Sequence, residues 1–175
     1  FSTFSPATSE VDFILKASIL FIEKDRDDNM WFGGHNGVGR WDPNTGMVES
    51  FGKRFNNAYF FYQQKSGTSW IGDSQGLHRR REDEQIFKSI HLPGGAGNAH
   101  DMLELDNGKL WITAVPALFW EFDPDTFTFK DIRQRFSLIP ANMEAGENGD
   151  IWMRKAGGIL RYNQNTGEKH IDRHD

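Results

Sequence analysis

The chain is predicted to be all-β and built from four copies of one four-stranded unit. Three observations predict this. First, a tryptophan recurs at Trp31, Trp70, Trp111 and Trp152, at intervals of 39, 41 and 41 residues. Second, the settings repeat. They read NMWFGG, TSWIGD, KLWITA and DIWMRK, and each follows a turn-like polar cluster such as Asp27-Asp28-Asn29 or Asp106-Asn107-Gly108. Six residues after each tryptophan stands a small residue: Gly37, Gly76, Ala117 or Gly158. Third, the chain is 14% aromatic and holds 18 glycines, which suits short strands joined by tight turns. Self-similarity at a period of about 20–50 residues marks a repeat architecture, and four antiparallel strands in about 40–45 residues form the blade of a β-propeller. A sandwich has no reason to repeat one tryptophan, and a solenoid repeats faster. The expected fold is therefore a propeller fragment of four complete blades of about 40 residues.

In the first blade, residues 18–56, SILFIE at 18–23 reads as a strand and 25–28 as a turn. A second strand surrounds Trp31. His35-Asn36-Gly37 is an Asn-Gly hairpin signal. Val38 to Trp41 is a third strand. Asp42-Pro43-Asn44-Thr45-Gly46 is a turn in which proline presets φ and glycine supplies the exit, and a fourth strand follows at 47–51. The second blade, 57–97, has strands at 58–63, 68–72, 77–81 and 85–90. The third, 98–138, has them at 100–105, 109–113, 118–122 and 127–131. Its third strand carries one extra residue, which predicts a bulge near Glu121. The fourth, 139–175, has strands at 142–145, 151–154, 159–162 and 168–172. Residues 1–17 are expected to be the orphan outer strand of a preceding blade plus a connection, because Phe1-Ser2-Thr3-Phe4 resembles the fourth strand at Phe127 to Lys130. This predicts a piece cut from a longer array.

A net charge of -5 argues against binding a nucleic-acid backbone. With no cysteine there is neither a disulfide nor a thiolate metal site. No apolar run approaches the roughly 18 residues of a membrane span, and no signal peptide opens the sequence.

The stretches DRDDNMWFGGHNGVGRWDPNTG at 25–46 and ENGDIWMRKAGGILRYNQNTG at 147–167 resemble the two-component regulator propeller repeat. The second and third blades depart from it, with Arg79-Arg80-Arg81 at the end of a third strand and Ala114-Val115-Pro116-Ala117 in place of a glycine-bearing hairpin. The resemblance implies an extracytoplasmic, periplasmic sensor region of a bacterial hybrid histidine kinase or diguanylate cyclase, in many members a seven-bladed unit. It implies signal transduction without catalysis in this segment, with the remaining blades and downstream signalling domains as partners and dimerisation in the parent protein.

Identical placement of Trp31, Trp70, Trp111 and Trp152 favours packing between blades over a sugar-stacking platform; Trp41 and Trp120 break the pattern and carry more functional weight. The better candidates lie on the loop face, where turns carry little of the core. They are His35, Asn36, Asn57, Asp73, Gln75, Asn98, His100 and Lys155, with Arg54, Asn56, Arg135 and Asn142 nearby. His, Asn, Gln and cationic groups in such a mixture read the hydroxyls and carboxylates of an oligosaccharide or a small anionic ligand. The competing reading is solvated turns. His100 and Asp101 are strand neighbours pointing to opposite faces, a poor catalytic dyad. Glu168 and His170 share a face of an outer strand and read as a surface pair. The RRREDE run at 79–84 reads as an exposed, self-compensating hairpin. No catalytic residue, metal or cofactor is expected. The alternatives are a propeller enzyme of the streptogramin-lyase type and a protein-interaction scaffold.

Overall fold

The computed structural model describes residues 14, 16–95, 97–136 and 139–173. The stretch expected to be an orphan outer strand, Phe1 to Phe4, lies outside them. The described residues form four four-stranded antiparallel sheets. In the first, β1 (Ile19–Lys24), β2 (Met30–Gly34), β3 (Gly37–Trp41) and β4 (Val48–Ser50) are paired in chain order. The second holds β5 (Phe60–Gln63), β6 (Ser69–Asp73), β7 (Gly76–Arg80) and β8 (Lys88–Ile90). The third holds β9 (Ala99–Glu104), β10 (Leu110–Ala114), β11 (Leu118–Asp123) and β12 (Thr128–Asp131). The fourth holds β13 (Asn142–Ala145), β14 (Asp150–Lys155), β15 (Gly158–Asn163) and β16 (Lys169–Arg173). This arrangement is that of a propeller-like fragment. The chain divides into two compact units, residues 1–99 and 100–175.

In the first unit, strand alternation places Phe21, Trp31 and Val38 on one face of the first sheet. That face meets Phe61, Ile71 and Phe87 of the second sheet, and the linker residues Phe55 and Ala58 close the cluster. Trp31 is 0% exposed and stacks on Phe61 at 4.2 Å between ring centroids. Its indole Nε1 donates to Asp25 Oδ2 at 2.8 Å. Asp25 is itself buried, and its carboxylate also accepts the Asp27 and Asn29 backbone N–H groups and the Asn29 amide. The turn cluster before the tryptophan is thus a cradle that satisfies a buried carboxylate and a buried indole together.

The second unit repeats the scheme with different chemistry. Trp111 and Phe119 of the third sheet meet Ile151, Met153, Leu160 and Tyr162 of the fourth, and Phe136 enters from a short helical turn, Arg133–Phe136. Trp111 lies 5.5 Å from Tyr162. The position six residues before this tryptophan is Leu105, which has no acceptor. Its Nε1 instead reaches across the ladder to Glu121 Oε2, at 3.5 Å. Trp70 keeps the first arrangement, donating to Gln64 Oε1 at 2.8 Å.

Four expectations need correction. Trp152 does not pack like its three equivalents: it is 39% exposed, whereas they are 0–1% exposed. Trp31 and Trp111 are each covered by the sheet that follows within their unit, and among the described residues no further sheet follows the fourth. Its indole lies instead over Gly146, where an added Cβ would stand 2.7 Å from Nε1. The expected bulge near Glu121 is absent. The β10–β11 ladder is regular from Leu110↔Phe122 to Ala114↔Leu118, and the extra residue is taken up by a three-residue turn, Val115-Pro116-Ala117, with Ala117 at φ 56°. The other hairpins turn in two residues, and at 35–37 the positive φ falls on Gly37, at 122°. The charged run at 79–84 is not wholly exposed either. Arg79 is buried and faces Glu84, and Arg80 lies 5.3 Å over the Trp31 ring. Trp120, given slightly more functional weight than the four repeated tryptophans, is a core residue 5% exposed.

At the opposite end from the hairpins, Asp42, Asp123 and Asn163 each accept two backbone N–H groups of the following turn. These bonds favour the ionised form, the Asn44 N–H foremost at Asp42, and hold the Asp42 carboxyl below its ordinary value. A lowered folded-state pKa means stabilisation present above the ordinary aspartate range and lost as pH falls through the folded value. Asp42→Asn, which copies Asn163, is expected to keep the turn and to flatten that acid limb of a stability–pH profile. Asp42→Ala should lose the turn bonds at every pH. Chemical denaturation should also separate the tryptophans: Trp31→Ala costs about 3–5 kcal/mol, whereas Trp152→Ala stays within about 1 kcal/mol.

Candidate functional site

The hairpins between second and third strands lie against the linkers that join successive sheets. In the first unit Ala58 donates its N–H to the Gly34 carbonyl at 3.0 Å. The Ser74 N–H and hydroxyl both donate to the Asn56 carbonyl, at 2.9 and 2.6 Å. Asp73, 0% exposed, completes the clamp: Oδ2 accepts the Asn56 N–H at 3.1 Å and Oδ1 the Gln75 N–H at 2.7 Å. Asn57 and Asn98 occupy equivalent linker positions at φ 52° and 53°, in the left-handed region that asparagine tolerates. Of the predicted loop residues in this unit, His35 and Gln75 are exposed, Asn36, Asn57 and Asn98 are half-buried, and Asp73 is sealed inside. Arg54, another loop candidate, bonds the Phe87 carbonyl.

In the second unit Ala141 donates to the Arg154 carbonyl at 2.8 Å, and Asp101 Oδ2 accepts the Met143 N–H at 2.6 Å. Asp101 therefore ties β9 to β13. His100 is exposed at the start of β9, and burial of part of its ring pushes its pKa below the ordinary value. Lys155 is half-buried beside its two-residue turn. Arg135, itself exposed, lies 5.0 Å over Tyr162 and bonds its hydroxyl, which caps the aromatic cluster from the surface. Arg154 bonds Asn142 Oδ1 through Nε at 3.0 Å.

One constellation escaped sequence reasoning. His78 Nδ1 lies 3.1 Å from Ser89 Oγ, and His78 Nε2 lies 3.0 Å from Asp73 Oδ1. The Asp73 contact is close but not aligned as a hydrogen bond. Ser89 is the cross-strand partner of His78, so only the register reveals the trio. His78 is 5% exposed with the Phe55 ring edge-on at 5.0 Å, and Asp73 already serves the linker. The arrangement braces the hairpin and offers no route for a substrate. Among the described residues no group of three or more His, Asp or Glu side chains is placed to hold a metal ion.

A concavity of about 530 Å³ opens on the Trp152 side of the fourth sheet. Asp150, Arg161, Glu168 and His170 line it. Arg161 lies 5.9 Å over the Trp152 ring and 3.8 Å from Asp150. No helix of the described residues is long and apolar enough to cross a membrane.

No protein-family model and no curated protein matches the chain. Solved structures do. The extracellular domain of BT3049 of B. thetaiotaomicron, described as a hybrid two-component system, aligns with a TM-score of 0.71 at 13% identity. The alignment covers 88% of this chain and 23% of that one. The extracellular domain of BT4673, similarly described and from the same organism, gives 0.70 at 15% identity, covering 90% and 24%. An auxiliary nutrient-binding protein from Bacteroides ovatus gives 0.71 at 16% identity, covering 90% and 42%. The chain thus spans about a quarter of the two-component domains and about two-fifths of the nutrient-binding protein. At these identities the likeness is one of fold, and it agrees with the repeat resemblance seen in the sequence.

Asp73 and the exposed turn tips should respond oppositely to mutation. Asp73→Ala orphans two linker and turn N–H groups and should cost about 2–4 kcal/mol in a urea titration. His35→Ala and Gln75→Ala should each stay within about 0.5 kcal/mol.

Proposed function

We propose that the chain is a ligand-binding segment of a bacterial extracytoplasmic, periplasmic sensor, that it reads a glycan or small anion at its hairpin–linker end, and that it feeds a two-component signalling protein. One observation carries this reading. Asp73, buried, clamps its linker and turn, so the exposed hairpin side chains beside it, His35 and Gln75, can vary in chemistry without disturbing the core. The similar structures support it: two are described as extracellular domains of two-component systems and one as a nutrient-binding protein. The exposed His35 and Gln75 offer imidazole and amide groups, and the half-buried Lys155 of the second unit an ammonium, and such groups suit hydroxyl and carboxylate recognition. Signalling in this scheme needs a ligand that binds one orientation of the sensor better than another, passed to a kinase or cyclase in the parent protein.

A thermal-shift screen of this chain against neutral glucans, uronic-acid oligosaccharides and small carboxylates tests the reading. A ligand at 100 times its Kd should stabilise the fold by about 2.7 kcal/mol. His35→Ala with Gln75→Ala should abolish the shift and leave the unliganded melting temperature in place. A folded chain that shifts with none of these compounds overturns it.

A further inference from the structure

Resting on the reading that the hairpin–linker end binds a ligand, we propose that Asn57 and Asn98 are ligand-reading residues there, and that with the tips His35 and Gln75 they form one row that takes an uncharged, hydroxyl-rich ligand, a neutral oligosaccharide. Backbone bonds fix the order of the row. Asn57 is pinned from both sides. Ala58 donates its N–H to the Gly34 carbonyl at 3.0 Å, and the Asn56 carbonyl accepts the Ser74 N–H at 2.9 Å. One bond belongs to the hairpin that carries His35 and the other to the hairpin that carries Gln75, so Asn57 stands between the two tips. Asn98 adjoins the second hairpin from the next linker. Its neighbour Gly97 packs there so closely that an added Cβ would lie 2.7 Å from the Ser74 carbonyl oxygen. Tip and linker thus alternate as His35, Asn57, Gln75 and Asn98, all within the first unit.

The backbone alone does not call for asparagine at these two positions. Both have a positive φ, 52° and 53°, a demand that glycine meets at least steric cost. Asparagine is the usual substitute because its side chain can hydrogen-bond locally. Neither carboxamide does so: among the described residues the Asn57 and Asn98 side chains have no hydrogen-bond partner. Both are half-buried, so each presents donors and an acceptor at a partly desolvated surface, where a hydrogen bond is stronger than in open water. Asn57 and Asn98 each stand thirteen residues before a tryptophan, Trp70 and Trp111. At the same distance before Trp152 the second unit has Ile139, packed on its apolar cluster. The repeat itself therefore requires no amide at this place. The chemistry of the row selects an uncharged ligand. None of its four side chains is an ammonium, a guanidinium or a carboxylate. Arg54, in the same linker as Asn57, gives its guanidinium to the Phe87 carbonyl. The Asp73 carboxylate, tied to the Asn56 and Gln75 N–H groups, repels an anion. Amides that donate and accept at once match vicinal hydroxyls, which do the same. With two tips and two linkers in one row, a chain of several sugar units covers more of it than a monosaccharide does.

Isothermal titration calorimetry of the chain tests it, with cellohexaose, xylohexaose and mannohexaose, then glucose, xylose and mannose, and then trigalacturonate and acetate as anions. At least one neutral hexasaccharide should bind, about tenfold or more tighter than its own monosaccharide. Asn57→Gly and Asn98→Gly keep the left-handed backbone and remove only the carboxamide. Each should weaken that binding about tenfold, with the unliganded melting temperature unchanged or raised. In the unaltered chain, the side-chain amide resonances of Asn57 and Asn98 should shift when the same hexasaccharide is added, a readout that stands even where a glycine variant does not fold. Full-strength binding by both glycine variants, with binding lost in His35→Ala/Gln75→Ala, overturns the role of the asparagines and leaves the ligand-binding end itself standing. Binding of the anions alone overturns the choice of an uncharged ligand. A folded chain that binds none of these compounds overturns both readings.

Discussion

A single four-stranded sheet cannot bury both of its faces, and the structure depends on how a tryptophan resolves that constraint. Strand alternation sends each indole to one face of its sheet, and at Trp31 and Trp111 the apolar residues of the next sheet in the same unit close over it. The indole also carries an N–H that must find a partner once buried. Asp25, Gln64 and Glu121 supply that partner at Trp31, Trp70 and Trp111. The repeat is therefore a packing rule and a hydrogen-bonding rule together. Where the acceptor is lost, as at Leu105, a charged side chain across the ladder takes over.

The same rule explains why polar side chains cluster at the two ends of the sheets. At one end Asp42, Asp123 and Asn163 organise turns by accepting backbone N–H groups, and the charge is incidental to the bonding, since asparagine does the same work. At the other end Asp73 ties linker and turn to the second sheet, and Asp101 ties β9 to β13. A buried carboxylate with several backbone donors, such as Asp73, is stable without a cation, because the donors replace lost hydration. The His35 and Gln75 side chains are left exposed at the hairpin tips. A scaffold that separates structural carboxylates from variable tips suits ligand recognition.

Much of this was legible in the residues. The tryptophan period, the small residue six places on and the Asp-Pro-Asn-Thr-Gly turns specify four sheets of four strands, because period-2 alternation and turn chemistry are local properties. The sequence also marked which loops would be exposed. It could not separate Asp73 from His35 as site residues, since whether a carboxylate faces solvent or a linker N–H depends on chain segments 17 residues apart meeting in space. Nor could it place the extra residue of the third repeat in the 115–117 turn, because strand register is set by cross-strand packing. Four near-identical tryptophan settings likewise gave no sign that Trp152 alone would stay partly exposed. Local periodicity dictates the repeating sheet. Which copy of each repeated residue is buried is settled by packing, because burial depends on what lies against it.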